Sequence, residues 1–376
     1  MPASGVLIVV KRLLLLVLVF LSSCGQAANT GPVASQAASP SASSSLTTVT
    51  AGVSNAFGTL ACRLPIAQFD SSGKLAGAFI TFPSRELIRD PNSTFQDVSP
   101  NGLVKSVVQP QLIGWPRRAT FTRRYGRWVP ANPTEVSPDS SHYAWAETTN
   151  DSPRRNKVHV VDVASGLDHV VRDQVAETNG FFSVVDYQSD GIYLNDVGPV
   201  GEAAPQGLWR LDPMTGRLQT IFTNGVVDDV AGGAAWVEKV NPNDPHPPVS
   251  LGRGQDRGYP GAVLPDQLLR RDLANGAIAS WYYEPGRNVV LLGFDQADHP
   301  IVDVLSSTDA TEVWLVTAPG RRERIDAGTF SEAPFGPFGD THGTWLRGQQ
   351  GIFLYTAAAG LVKVSSVVGD VAGRCL

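Results

Sequence analysis

Apolar residues along this chain of 376 come in short bursts, many of them alternating with polar ones, and no stretch sustains a helical period. Clusters of Gly, Asp, Asn, Ser and Pro separate the bursts, which therefore read as strands joined by turns. One unit recurs. A short apolar strand runs into an acid-rich turn, then a strand of small and aromatic residues, then a loop of variable length. Next come an aromatic or aliphatic strand ending in Asp, a four-residue turn closing on Gly, and a final strand. The clearest copy is "VSPDSSHYAWAE…KVHVVDVASGLDHVV" over 136–171. Further copies cover 183–222, 226–283, 289–325 and 336–366. A divergent first unit opens with "CRLPIAQFDSSGKLAGAFITF" over 62–82, and it is expected to end with the hairpin "ATFTRRYGRWVPA" over 119–131.

Six units of four short strands predict an all-β chain and a six-bladed β-propeller, because a lone unit cannot bury both faces of its sheet and a ring can. Seven blades, if the first unit is two, and a pair of β-sandwiches stay open at this level. The Ser137-Pro138-Asp139 turn followed by Tyr143-Ala144-Trp145 resembles the repeat of TolB-type and WD40-like bacterial propellers. The resemblance spans about 60–376 and implies the fold; propellers host many unrelated activities, so it implies no single function.

The first sixty residues read differently. Lys11 and Arg12 precede an unbroken apolar run over 13–21, followed by Ser22 and Ser23, which is the plan of a secretory signal. Val6 to Val10 lie unusually before the positive pair. Leu21-Ser22-Ser23-Cys24 resembles the bacterial lipobox, which implies lipidation of the Cys24 thiol and cleavage to make it the new N-terminus. Residues 24–56 are almost all Ala, Ser, Thr and Gly without charge, too poor in apolar area to fold, and read as a flexible tether. The expected organisation is thus signal peptide over 1–23, lipidated tether over 24–56 and propeller over 57–376. The protein is expected outside the bacterial cell membrane or on the outer membrane, held by its lipid.

Losing the signal removes two basic residues and no acid, leaving 28 basic against 35 acidic side chains, or −7. Such a surface has no bulk attraction for nucleic acid. Cys62 and Cys375 stand at opposite ends of the propeller region, in a disulfide-permissive compartment. A bridge joining the ends of a closed ring is expected, with two separate buried thiols as the alternative.

Candidate chemistry is sparse. Asp162, Asp212 and Asp272 each stand four residues before a glycine, Gly166, Gly216 and Gly276, and read as turn caps. His142, His299 and His342 follow acidic turns, but equivalent places on a ring cannot converge on one ion, so neither metal nor cofactor is expected. The informative feature is loop length. The long connections 84–116, 148–157, 195–206 and 241–266 are expected between second and third strands, and so on one face of the ring. Trp115, Arg117, Arg118, Arg154, Arg155, Asp244, His246, Arg253, Asp256, Arg257 and Tyr259 in them form the candidate binding face, Arg and aromatic residues being favoured contact types. The expected function is a membrane-anchored binding or scaffold module for a protein, peptide or glycan. The alternatives are a hydrolase or lactonase with a polar site in the channel, and a structural envelope protein.

Overall fold

A computed structural model describes residues 60–69, 75–93, 119–149, 152–176, 181–197, 207–249, 263–305, 311–326, 335–348 and 350–376. The signal segment, Cys24 and the tether lie outside the described residues. Blade one contributes β1 (Arg63–Phe69), β2 (Leu75–Thr81) and β3 (Glu86–Arg89). A two-stranded hairpin follows, β4 (Thr120–Thr122) and β5 (Arg127–Val129). Blade two has β6 (His142–Thr148), β7 (Arg155–Asp162) and β8 (Asp168–Val175). Blade three has β9 (Phe181–Gln188), β10 (Gly191–Val197), β11 (Gly207–Leu211) and β12 (Leu218–Phe222). Blade four has β13 (Asp229–Ala231), β14 (Ala234–Lys239), β15 (Gln267–Asp272) and β16 (Ile278–Tyr283). Blade five has β17 (Asn288–Phe294), β18 (Pro300–Leu305), β19 (Thr311–Ala318) and β20 (Arg321–Arg324). Blade six has β21 (Phe335–Asp340), β22 (Gly343–Gly348), β23 (Gly351–Thr356) and β24 (Gly360–Ser365). Last comes β25 (Asp370–Val371), which pairs antiparallel with β1 and supplies the first strand of blade one.

Burial is deepest in the middle strands and falls toward the rim. The middle strands β18 and β23 are buried along five of their six residues, because a neighbouring sheet covers each face. The fourth strand β20, "RRER", is exposed throughout. Apolar clusters fill every gap. Blades two and three share Val158, Val160, Ile192 and Leu194; blades three and four share Tyr193, Leu208, Val230 and Ala235. Trp236 and Leu268 meet Val302 and Val304 between blades four and five, and Leu315 meets Leu346 and Phe353 between five and six. Blades six and one close over Leu64, Ile66, Ile80, Trp345 and Leu354. The protein is a six-bladed β-propeller.

Two expectations about the first units are corrected. The hairpin does not end blade one; it is a separate sheet wedged between blades one and two. Ala119 and Trp128 pack on Ala67, Leu75 and Ala372, while Val129 and Ala131 pack on Tyr143 and Val161 of blade two. Blade two in turn lacks a full first strand, whose place is held by the single bridge Val136↔Tyr143. The wedge fills the gap this leaves. Its Phe121 and Trp128 rings stand 5.1 and 5.7 Å from Phe79 of β2.

Cys62 and Cys375 are joined in a disulfide that spans 313 residues, with their Cα atoms 5.6 Å apart. The three aspartate turns match in detail. Asp162 Oδ1 accepts from Ser165 N, Asp212 Oδ1 from Met214 N and Thr215 N, and Asp272 Oδ1 from Ala274 N and Asn275 N. Gly166, Gly216 and Gly276 close the turns at φ of 74°, 68° and 73°.

Gly77 fixes how closely the wedge docks, since a Cβ there would lie 2.3 Å from Trp128 Cε2. Gly77→Ala should therefore lower stability by about 1–3 kcal/mol, the usual cost of overpacking, in urea titrations followed by tryptophan fluorescence. An unchanged midpoint would contradict this packing.

Candidate functional site

In a four-stranded antiparallel meander, the second-to-third connection and the link to the next blade leave by the same edge. The connections 149–154, 198–206 and 240–266 are of the first kind, as expected. The segment 84–116 is not. Ser84 and Arg85 make a tight turn between β2 and β3, and the long stretch follows β3 as the link to the wedge. The end of β3 from which it departs lies on the expected face. Trp115, Arg117, Arg118, Arg253, Asp256, Arg257 and Tyr259 lie outside the described residues. Of the described members, Arg154, Asp244 and His246 sit on connections of this face, and Arg155 begins β7 where one of them ends.

The insertion of blade four is rooted firmly. Buried Asp266 accepts a 2.6 Å hydrogen bond from Asn241 N, and its own N–H reaches Lys239 O. Asp244 Oδ1 accepts from His246 N at 2.7 Å and its Oδ2 from Gly286 N, in the link to blade five, at 3.1 Å. Those backbone donors hold the Asp244 carboxyl below the usual range, whereas burial pushes Asp266 up. Of this adjacent pair, Asp266 is the one that takes up a proton first. Asp244 is thus occupied in fastening the insertion, while the His246 side chain stays exposed. Arg155 Nε donates to Asp173 Oδ1 at 2.7 Å across blade two.

A second feature lies at the hub, where first strands of neighbouring blades approach one another. Asp186 on β9 accepts from Tyr187 N and, at 2.7 Å, from Gln188 Nε2. The same amide reaches Val230 O of β13 at 2.8 Å, tying blade three to blade four beside Asp229. Asp229 lies deep among protein atoms yet keeps some accessible surface, as a group on a channel wall does. Desolvation pushes it up to about 8, with the Asp186 charge adding to the shift, and desolvation raises Asp186 to about 6. At neutral pH the first is a proton donor and the second mostly an acceptor, the division of roles that acid–base chemistry uses. Asp186 lies near the end of β9 that is opposite the insertions, and Asp229 opens β13.

The three histidines after acidic turns each engage the nearest acid or hydroxyl. His299 Nδ1 stands 3.0 Å from Asp295 Oδ2, His342 Nδ1 3.3 Å from Asp340 Oδ1, and His142 Nδ1 2.7 Å from Ser141 Oγ. Among the described residues no group of three or more His, Cys, Asp or Glu side chains is placed to hold a metal ion. Sequence reasoning passed over another histidine. His159 is buried, stacked on Trp145 at 3.8 Å, with Nδ1 3.0 Å from Asp168 and Nε2 3.4 Å from Glu147. Both ring nitrogens face carboxylates of the same sheet, so the cluster is spent inside blade two.

The hub pair predicts a pH dependence. A carboxyl whose folded pKa is raised binds its proton more tightly when folded, so its contribution to stability falls as pH climbs from about 4 to about 8. Asp229→Asn should be more stable than the parent at pH 8 to 9 and should converge with it near pH 4 in urea titrations. A variant with the parent's full pH slope would show that Asp229 is not desolvated.

No family model matches the sequence, and no curated protein matches it as a relative. Among solved structures, TolB from Acinetobacter baumannii aligns over 83% of this chain and 67% of its own, at 12% identity and a TM-score of 0.39. An oligogalacturonate lyase from Vibrio parahaemolyticus aligns over 82% and 78%, at 10% identity and 0.39. A prolyl endopeptidase aligns over 77% of this chain, at 12% identity and 0.43, and this chain spans about half its length, 46%. At such distances the likeness concerns the propeller fold, and no substrate or activity is carried over from these proteins.

Proposed function

We propose that this protein is an exported, lipid-anchored binding module that presents one face of a rigid propeller to a protein, peptide or glycan outside the membrane. The observation that carries the reading is the rooting of the blade-four insertion. Asn241, Asp244 and Asp266 fasten it to blade four, and Gly286 ties it to the link into blade five. A loop whose stem is fixed this way loses less freedom on binding, which favours affinity. Arg154 and the exposed His246 emerge on the same side. The lipid on Cys24 and the tether would set the reach of this face.

A second reading has its own observation. The raised Asp186 and Asp229 could serve a hydrolase or lactonase as acid and base from the hub. That site would lie at the hub and not on the insertion face, so the two readings differ in where a bound molecule sits.

Two experiments test the proposal. Cys24→Ser should move the protein from the membrane fraction to the soluble one; retention on membranes would defeat the anchor. Photo-crosslinking residues in place of Arg154 and His246 should trap the same adduct in cells, whereas one in place of Met214, 90% exposed on the opposite face, should not. Adducts from Met214 alone would overturn the assignment of the face.

A further inference from the structure

The turn between third and fourth strands is built six times in this ring, and one copy departs from the others. In blades two, three and four the closing glycine donates its N–H to the carbonyl four residues back: Gly166 to Asp162, Gly216 to Asp212, Gly276 to Asp272. Blades five and six also place a left-handed glycine before the fourth strand, Gly320 and Gly360, at φ of 71° and 67°. Blade one makes the same bond, Arg85 N to Thr81 O at 2.6 Å, but with arginine at φ 61°. A residue with a Cβ is disfavoured there, and an unneeded strain of this kind is a pointer to use.

Some of these turns lean on the outer strand of the preceding blade. Gly216 approaches Val171 O of β8, and Gly320 N bonds Trp281 O of β16. The cations beside these turns are engaged. Arg172 donates to Gln174 Oε1 and Gly216 O, and Arg322 contacts Glu284 and Tyr282 OH and stacks 4.7 Å over Trp314. At the closing seam a groove is lined by Arg85 of blade one and by Lys363, Val364, Ser365, Ser366 and Val367 of blade six. Among the described residues, neither the Arg85 guanidinium nor the Lys363 ammonium has an ion pair or side-chain hydrogen bond. Among the described residues no carboxylate lines the groove. These two cations stand open on a chain with formal net charge −5.

We propose that this seam groove is an oxyanion site that takes a phosphate group, held between Arg85 and Lys363 with the Ser366 hydroxyl as a further donor. A planar guanidinium fork and a mobile ammonium on two separate walls can reach different oxygens of one tetrahedral anion. The site lies at the rim seam between blades six and one, away from the hub, and does not depend on either reading above.

The test is calorimetric titration of the detergent-solubilised full-length protein with inorganic phosphate, glucose 6-phosphate, glucuronate and glucose at low ionic strength. Phosphate and glucose 6-phosphate should bind saturably, glucuronate more weakly and glucose not at all. Arg85→Gly and Lys363→Ala should each weaken phosphate binding by about tenfold, the loss of one charge-assisted contact. Lys239→Ala, at an exposed lysine elsewhere, should leave it unchanged. Arg85→Gly also removes the left-handed strain, so its thermal midpoint should be equal to or above the parent's, and lost binding could not be ascribed to unfolding. Binding that survives both seam variants, an absence of saturable phosphate binding, or a preference for glucuronate would each overturn the proposal.

Discussion

The pairing of Ile66 and Ala67 with Val371 and Asp370 is only two residues long, yet the whole wheel depends on it. A blade has two apolar faces, and each is covered only if a neighbouring sheet stands beside it. Without the C-terminal strand blade one has no inner strand, and the cluster that holds Leu64, Ile66, Trp345 and Val371 opens to water. The pairing is extended by Ala372 N to Pro65 O and by a reciprocal pair between Arg63 and Leu376. Blade six grips the same tail, with Cys375 N on Asp340 Oδ2 and Arg347 on Asp370. Closure entropy grows only with the logarithm of loop length. The Cys62–Cys375 bridge therefore offsets a cost on the order of 5 kcal/mol in the chain-entropy picture.

Closure also explains the wedge. Where blade two gives up its first strand for one bridge at Val136, its face and that of blade one no longer meet. The β4–β5 hairpin fills the space with aromatic rings against Phe79 on one side and aliphatic side chains against Val161 on the other. Further along the same blade-two sheet, apolar packing gives way to the Trp145–His159 stack and its flanking carboxylates. An irregular chain segment is thus absorbed without breaking the ring, because the faces ask for covered area more than for a fixed number of strands.

Much of this was legible in the residues. Period-two alternation and the Asp-to-Gly turns were enough to place units two to six, and ring closure made the Cys62–Cys375 bridge sensible before any coordinates. The first unit misled because "ATFTRRYGRWVPA" is a good hairpin by its own pattern, and local pattern says nothing about which sheet a hairpin joins. The connection after residue 84 was misplaced for the same reason: β3 is four residues long, and "ELIR" does not alternate clearly. Asp186 and Asp229 stood in plain view in "SVVDYQ" and "VVDDVA". Their environment depends on the irregular pairing between Tyr193 and Leu194 and on which strands meet at the hub, neither of which is written in one strand. His159 went unnoticed because its carboxylates come from two other strands of the sheet.

A ring of repeats carries its own standard of comparison. Six copies of one supersecondary unit solve the same local problem, so the common solution shows what folding alone requires. A left-handed glycine where the fourth strand begins and apolar middle strands are that common solution, with Asp in the turn in three of the six. Departures then ask for a separate cause. Some are answered within the fold, as the wedge answers the missing strand of blade two. Others are not: an arginine at a glycine position, two acids desolvated at the hub, an insertion pinned at its stem by Asp244 and Asp266. Each costs stability or strain that the neighbouring blades avoid with simpler residues, and together they fall on the rim, the axis and one face.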